Sequence, residues 1–593
     1  MRRGVRADWA AAALALAGVA AFAGLASYDL RVPGLYYDEL FQLTTALAFV
    51  KGGLGSAVAW VPGTEISIAG HPLPLMAHSY IGAVKTVAFV PVAAAFGISP
   101  ASVRVFTIGV AALSLVFTYL FAWRLFRRAT IAAVGIVLLA TDPSFVFYSR
   151  VDFGPSVFMF LFKAIGLWQL VVWWRTERLR ALVLGAFAFG LGVYDKANFL
   201  WIVAAVPLAA VVLDYRGVVR RLDRRAVLSA GAAFALGCLP FLAYNASWPP
   251  RTLQPALKGT LHVAGGNPSG NPVVQLWLRT QQLVRLLDGT TLSELFVGRG
   301  GGFPLLPALS LGAAGAVAVL FALPSLRPRM RPAMFVVLSG LLVLVASALT
   351  PGGSYPHHVL LAYPAPHLAL AAIVVEAARL LRGRTRLVAA GVGAAAVAAT
   401  VAVSVGTTVD VLSRLGQTGG EGNFSDSIYT LERYLVRHDG AHRFVAIDWG
   451  IYQNLIALSG GSLRGVELWD PLNASRPVRG SALTELADPS ARYVLHTASE
   501  TNFPRARARF FAALRGEGRR ACLEHVVRTR QGRPLFEVYR VTSAGSSAGG
   551  LVRACSITSA RIRSRPSLGV HAIAAPIFSS AGSRWSVSSI PSP

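Results

Sequence analysis

The chain has 593 residues, of which 54% are hydrophobic and only 14% charged, with a formal net charge of +28. A soluble domain carries about a quarter charged residues, so the composition excludes an ordinary soluble protein. The excess of arginine could suit a nucleic acid, but the basic residues stand in short clusters between long apolar runs. That is the positive-inside pattern of a membrane protein, and no nucleic-acid partner is expected.

Arg2, Arg3 and Arg6 precede an apolar run at 9–27, and no small-residue cleavage site follows before Tyr36 and Tyr37, so the run reads as a retained anchor. Further basic clusters lie at Arg124/Arg127/Arg128, Arg175/Arg178/Arg180, Arg216/Arg220/Arg221/Arg224/Arg225, Arg327/Arg329/Arg331 and Arg382/Arg384/Arg386. If all are cytoplasmic, an even number of crossings separates each pair. Apolar runs at 9–27, 102–123, 129–147, 154–174, 181–194, 197–213, 226–247, 304–323, 333–349, 358–380 and 387–409 satisfy this and predict about eleven spans. The run at 75–97 would break the parity. It contains His78, Lys85 and Pro91, and reads as an interfacial or re-entrant helix. The expected fold is therefore a multi-pass α-helical membrane protein, with a cytoplasmic N-terminus and an extracytoplasmic C-terminal domain, in a bacterial inner (cell) membrane.

Residues 1–409 form the expected membrane domain and 410–540 a small α/β domain. In the latter, Asn423-Phe-Ser-Asp-Ser precedes an amphipathic helix at 428–437, and the segments beginning at Arg443, Arg492 and Leu535 read as strands. The Ser-, Ala-, Gly- and Arg-rich tail, 541–593, reads as disordered. No internal repeat and no two-half symmetry of the transporter kind is visible.

Every outer loop of this topology carries titratable or polar groups. The first holds Tyr36, Tyr37, Asp38, Glu39, Glu65 and His71; the next, Tyr148, Arg150 and Asp152; the next, Tyr194, Asp195, Lys196 and Asn198. A long loop at 248–303 carries Trp248, His262, Asn267 and Asn271, and the last has Tyr355, His357 and His358. Each group has a plain structural reading. Asp38 and Glu39 suit a helix start, where acids are favoured; Arg150 and Asp152 suit an ion pair, and Asp195 and Lys196 a loop tip. Their convergence on one face is less easily structural, because a charge at mid-bilayer costs about 2.5–3.5 kcal/mol. Such groups belong around an aqueous cavity.

The acidic pair Asp38-Glu39 after the first span resembles the GT-C membrane glycosyltransferases, specifically glycosyltransferase family 39, with its protein O-mannosyltransferases and bacterial lipid A aminoarabinose transferases. The likeness continues through His71-Pro-Leu-Pro, the span led by Arg104, Arg150-Val-Asp152-Phe-Gly-Pro155, Tyr194-Asp195-Lys196-Ala-Asn198 and His358-Val-Leu-Leu-Ala-Tyr-Pro364, over roughly residues 8–410. It implies a polyprenyl-phosphate-linked sugar as donor, an inverting displacement at the outer leaflet, and a glycan, lipid or protein acceptor. Asp38 is the expected general base, Glu39 would orient the base or the acceptor, and Asp152 would hold acceptor or sugar. Arg150, Lys196, His357, His358 and Lys85 are the expected partners of the donor phosphate. Tyr37, His71, Asp195, Asn198 and Tyr355 would line the substrate cavity. No cofactor follows with certainty; Glu65 and His71 are the pair that could hold a divalent metal. The chain lacks a β-trefoil insertion, which weakens a protein acceptor. The rival reading is a transporter or flippase of a lipid-linked sugar, which would place its charges nearer the bilayer midplane.

Overall fold

The computed structural model describes residues 2–54, 60–254, 271–350, 355–437, 443–474 and 480–543. The expected polar groups His262 and Asn267, and the tail from 544 onward, lie outside the described residues.

Apolar runs without proline or glycine breaks close their backbone hydrogen bonds within the segment, as a hydrocarbon environment demands. The chain opens with α1 (Arg2–Ser27) and α2 (Tyr37–Lys51). Two small hairpins follow, β1 (Glu65–Ile68) with β2 (His71–Pro74) and β3 (Met76–His78) with β4 (Ile81–Gly82). Then come α3 (Val84–Phe96), α4 (Pro100–Phe126), α5 (Ala129–Thr141), α6 (Pro143–Arg150), α7 (Ser156–Thr176), α8 (Leu179–Asp195), α9 (Leu200–Arg221), α10 (Arg224–Gly237) and α11 (Leu239–Tyr244). The second half of the bundle has α12 (Pro272–Leu287), α13 (Thr290–Val297), α14 (Leu305–Ala322), α15 (Arg327–Leu349), the short α16 (Pro356–Val359), α17 (Ala365–Leu380) and α18 (Gly383–Thr418).

Among the described residues eight helices are long and apolar enough to cross a membrane, or nine if α5 and α6, bent by 63° at Asp142, make one span. Two of the expected eleven spans, 181–194 and 226–247, do not form single helices of spanning length. The helix α8 has 17 residues, about 25 Å, and the 226–247 run is broken at Cys238 into α10 and α11. The 75–97 run forms β3, β4 and the 13-residue α3, about 20 Å long. The loop expected at 248–303 contains the amphipathic α12 and α13.

Breaks in the spans are held by buried side chains. Asp142 caps α6 through the Phe145 amide at 2.9 Å, and its other oxygen meets His367 Nε2 at 3.0 Å and the Tyr363 hydroxyl at 3.3 Å. Lys163 of α7 donates to the carbonyls of Leu361, at 3.1 Å, and Tyr363, where the helical span of α16 and α17 is interrupted.

The C-terminal region holds α19 (Ser427–Arg437), β5 (Arg443–Ala446), α20 (Tyr452–Leu458), β6 (Arg464–Glu467), α21 (Trp469–Asn473), α22 (Ser481–Leu486), β7 (Arg492–His496), α23 (Pro504–Gly516), β8 (Arg519–Arg528) and β9 (Pro534–Ser543). The strands form one sheet in the order β6-β5-β7-β9-β8, parallel among the first three and antiparallel beyond. The strands expected from Arg443, Arg492 and Leu535 are β5, β7 and β9; β6 and β8 lacked a readable pattern.

The helix α2 joins the two regions. Leu35, Leu40, Leu43 and Ala46 pack with Phe89 and Ala93 of α3, Val103 of α4 and Ala457 of α20. Thr44 Oγ1 donates to Gln453 Oε1 at 2.6 Å, and Asn454 Nδ2 to the Leu35 carbonyl at 2.6 Å. Gly34 is required here: a Cβ would sit 2.2 Å from the Ser425 carbonyl oxygen.

The turn before α2 is fixed by two buried arginines. Arg104 forms a two-point pair with Glu39, each contact 3.2 Å, and donates to the carbonyls of Leu30 at 2.9 Å, Pro33 at 2.8 Å and Gly34 at 3.2 Å. Arg150 donates to the carbonyls of Tyr28, Asp29 and Val32. Breaking a fully buried pair leaves an uncompensated charge, at a cost of about 3–5 kcal/mol. Arg104→Leu is therefore expected to lower the thermal midpoint in detergent sharply, while Arg104→Leu combined with Glu39→Leu recovers part of the loss; equal midpoints for single and double variants would contradict this account of the turn.

Candidate active site

The site forms where the ends of α2, α3, α6, α8 and α16 meet, near the middle of α12. Glu39, the third residue of α2, accepts from the Tyr36 amide at 2.8 Å and so closes the helix start. That leaves the neighbouring carboxyl, Asp38, half-buried and facing other groups. The ammonium groups of Lys196 and Lys85 are the cations acting on it, and Asp152 is a nearby acid. Burial outweighs the cations and pushes the Asp38 carboxyl up to about 6.

Behind Asp38 lies a fully buried ion pair. Lys85 Nζ is 2.8 Å from Asp152 Oδ2, and it also donates to the Glu39 carbonyl at 3.3 Å. Asp152 Oδ1 accepts from the Val157 amide at 3.2 Å, so the same carboxylate starts α7. Lys196 is placed by the backbone. It leaves α8 in extended form, bridges Ile81, and is followed by an Ala197 amide that donates to the Tyr80 carbonyl at 2.9 Å. Its ammonium stands over Gly154, whose φ of +59° and lack of a side chain leave the approach open; a Cβ there would lie 3.6 Å from Nζ. Both oxygens of Asp195 and both polar atoms of Asn198 are buried without a hydrogen-bond partner in the protein. Such atoms carry a desolvation cost unless a ligand meets them.

The opposite wall is aromatic and basic. The His357 ring stacks on Tyr355 with centroids 5.7 Å apart and lies 5.6 Å from Phe153. His358 meets His357 at 4.2 Å and Trp201 at 6.3 Å. Both histidines lie in the field of Lys196, and His358 also in that of Arg279. Tyr355 and Tyr80 lie within the field of Asp38, which closes the ring of groups.

Asp38, Lys85, Asp152, Asp195, Lys196, Asn198, Tyr355, His357 and His358 are thus gathered as one site from the sequence-predicted set. Others lie elsewhere. Glu39 and Arg150 belong to the clamp on the 28–34 turn, with their charged groups committed to Arg104 and to backbone carbonyls. Tyr37 points to the C-terminal domain and donates to Glu467 Oε2 at 3.1 Å. His71 sits on β2, where its Nδ1 meets the Phe49 carbonyl at 2.5 Å. Glu65 stands opposite Pro74 and His71 opposite Ile68, at different ends of that hairpin, and Glu65 is exposed. Among the described residues no three His, Cys, Asp or Glu side chains gather into a group that could hold a metal ion.

Arg279 was not readable as a site residue. It lies on the apolar side of α12, is 3% exposed, and has an Nε without a hydrogen-bond partner. Its burial pushes the guanidinium down to about 10. The available signal was one arginine among Val273, Leu276, Leu283 and Leu286 at helical spacing, inside a stretch read as loop.

The bundle has the architecture of the GT-C membrane glycosyltransferases. The family profile of dolichyl-phosphate-mannose-protein mannosyltransferase matches residues 91–244, which include Arg104, Asp152, Asp195 and Lys196. Among solved structures, the chain is similar to ArnT from Cupriavidus metallidurans bound to undecaprenyl phosphate, with a TM-score of 0.53 and 11% identity over 89% of this chain and 97% of that one. It is similar also to the Archaeoglobus fulgidus oligosaccharyltransferase, with a TM-score of 0.51 and 13% identity over 85% of this chain and 71% of that one. A search of curated proteins finds no match. By fold, and by sequence over 91–244, the chain is similar to GT-C proteins of the mannosyltransferase and ArnT type.

Lys196 is the strongest cation acting on Asp38. Lys196→Met is expected to move the Asp38 midpoint above 6, read from the infrared band of the protonated carboxyl during a pH titration with Asp38→Asn as blank. An unmoved midpoint would show that Lys196 is not its electrostatic partner.

Proposed function

We propose that the protein is a GT-C glycosyltransferase that moves a sugar from a polyprenyl-phosphate donor to an acceptor hydroxyl, with inversion at the anomeric carbon. The observation that carries this reading is the half-buried Asp38 carboxyl lying in the field of the buried Lys196 ammonium, with the Lys85–Asp152 ion pair beside it. The family profile and the ArnT likeness agree with it, since the latter was solved with undecaprenyl phosphate.

In this reading Asp38 takes the proton of the acceptor hydroxyl while its oxygen forms the new bond to the anomeric carbon. The bond from that carbon to the phosphate oxygen breaks, and polyprenyl phosphate leaves with the electron pair. Lys196 and Arg279, with His357 and His358 as neutral donors, meet the growing phosphate charge. Lys85 serves chiefly as counter-ion to Asp152, holding that carboxylate beside Asp38. Asp195 and Asn198 offer unpartnered oxygens and an amide to sugar hydroxyls. In this reading the face bearing the site and the C-terminal domain lies outside the cell membrane, which the arginine distribution supports.

A base with a midpoint near 6 must be ionised to act. Release of polyprenyl phosphate by the purified protein, offered a panel of polyprenyl-phosphate sugars, is expected to fall tenfold per pH unit below about 6 and to level off above it. Asp38→Asn is expected to remove at least about 100-fold of the rate. Retained release in Asp38→Asn would remove Asp38 from the mechanism, and donor transport without release would favour a flippase. A reporter fused after Arg128 is expected to be cytoplasmic and one after Asp410 external. An external Arg128 fusion would reverse the assignment of 75–97 as non-spanning.

A further inference from the structure

The sheet of the C-terminal domain has a topological switch point, and it faces the candidate active site. The strands β5 and β7 are parallel neighbours. The helix following β5 is α20, which packs with Phe444 and Ala446 on one face of the sheet. The helix following β7 is α23, which packs with Val445 and Tyr493 on the other. In open sheets of this kind ligands bind in the crevice outside the carboxyl ends of the strands, at the point where the connections diverge.

Here those carboxyl ends carry Asp448 and Trp449 after β5, Glu467 closing β6 and His496 closing β7. Asp448 Oδ2 meets His496 Nδ1 at 3.0 Å and its Oδ1 accepts from the Trp449 amide at 2.9 Å, which fixes the turn that presents the indole. The Trp449 ring lies 4.9 Å from that of Tyr37 and 5.6 Å from that of Tyr36. Glu467 receives the Tyr37 hydroxyl on Oε2 and lies against the Trp469 indole, while Oε1 is buried with an accepting position left over. Tyr37 immediately precedes Asp38, so the seam opens beside the proposed base.

We infer that this seam is the acceptor subsite and that the acceptor is a sugar ring, seated on the Trp449 and Tyr37 rings with a hydroxyl on Glu467 Oε1. The inference rests on the transferase reading above. An aromatic face takes the C–H side of a pyranose, and a buried carboxylate oxygen with a free lone pair takes one of its hydroxyls. Burial pushes the Glu467 carboxyl up to about 7, against the lowering effect of its hydrogen bonds from Tyr37 and Trp469.

The test uses the full-length protein in detergent, a polyprenyl-phosphate donor, and two acceptor probes: a panel of methyl glycosides and an N-acetylated Ser/Thr peptide. At least one glycoside should accept the sugar saturably. Glu467→Gln and Trp449→Ala should then raise the KM for that glycoside by about tenfold or more with a much smaller change in kcat, and Trp449→Phe should restore most of the affinity. Transfer to the peptide alone, transfer to none of the glycosides despite donor turnover, or an unchanged glycoside KM in both variants would each overturn the inference. Absence of polyprenyl phosphate release from every donor by the wild type would instead overturn the transferase reading.

Discussion

The structure depends on the neutralisation of charge that has been taken out of water at the edge of the bundle. Arg104 is spent on the pair with Glu39 and on backbone carbonyls of the 28–34 turn, and Arg150 on other carbonyls of the same turn. A turn that would otherwise carry unsatisfied carbonyls becomes rigid, and it delivers α2 at a fixed angle. Two adjacent acids then meet opposite fates. Glu39 is sealed within the clamp, while Asp38, one residue earlier and about 100° round the helix, lies in the field of Lys196. The proposed base owes its place to a charge pair that has no chemistry of its own.

The same economy recurs deeper in the bundle. Asp142 bends the α5–α6 pair, and Lys163 holds the interrupted span before α17. Without those interruptions His357 and His358 would continue along a helix instead of closing the site beside Lys196. Buried ionisable groups in a membrane domain are costly; in this protein most of them hold helix ends, and a smaller group near Asp38 remains for substrate. Asp195, Asn198 and Glu467 retain buried atoms with hydrogen-bonding positions left over.

Much of this was legible in the chain. The apolar periodicity and arginine clusters located the spans, because length and hydropathy follow directly from the need to bury a backbone in hydrocarbon. Asp38, Asp152, Lys196 and the histidines were legible from their positions at helix ends on one face. What was hidden depended on tertiary pairing. Glu39 and Asp38 look alike in sequence, and only the approach of Arg104, 65 residues away, distinguishes them. Arg150 reads as a phosphate ligand until the carbonyls of the 28–34 turn are seen to occupy it. Arg279 lay in a stretch whose glycines and prolines suggested a loop. β6, with one β-branched residue among four, showed no strand pattern, and the partnership of Glu467 with Tyr37 spans 430 residues.

The central claim is that one ring of side chains holds the donor phosphate opposite Asp38. A structure of the protein with polyprenyl phosphate bound tests it most directly. The account predicts the phosphate within hydrogen-bond reach of Lys196 and Arg279, with the Asp38 carboxyl across the cavity and the prenyl chain running out between the spans. A phosphate seated elsewhere, such as beside Lys163 within the bundle, with Lys196 still turned to Asp38, would contradict it.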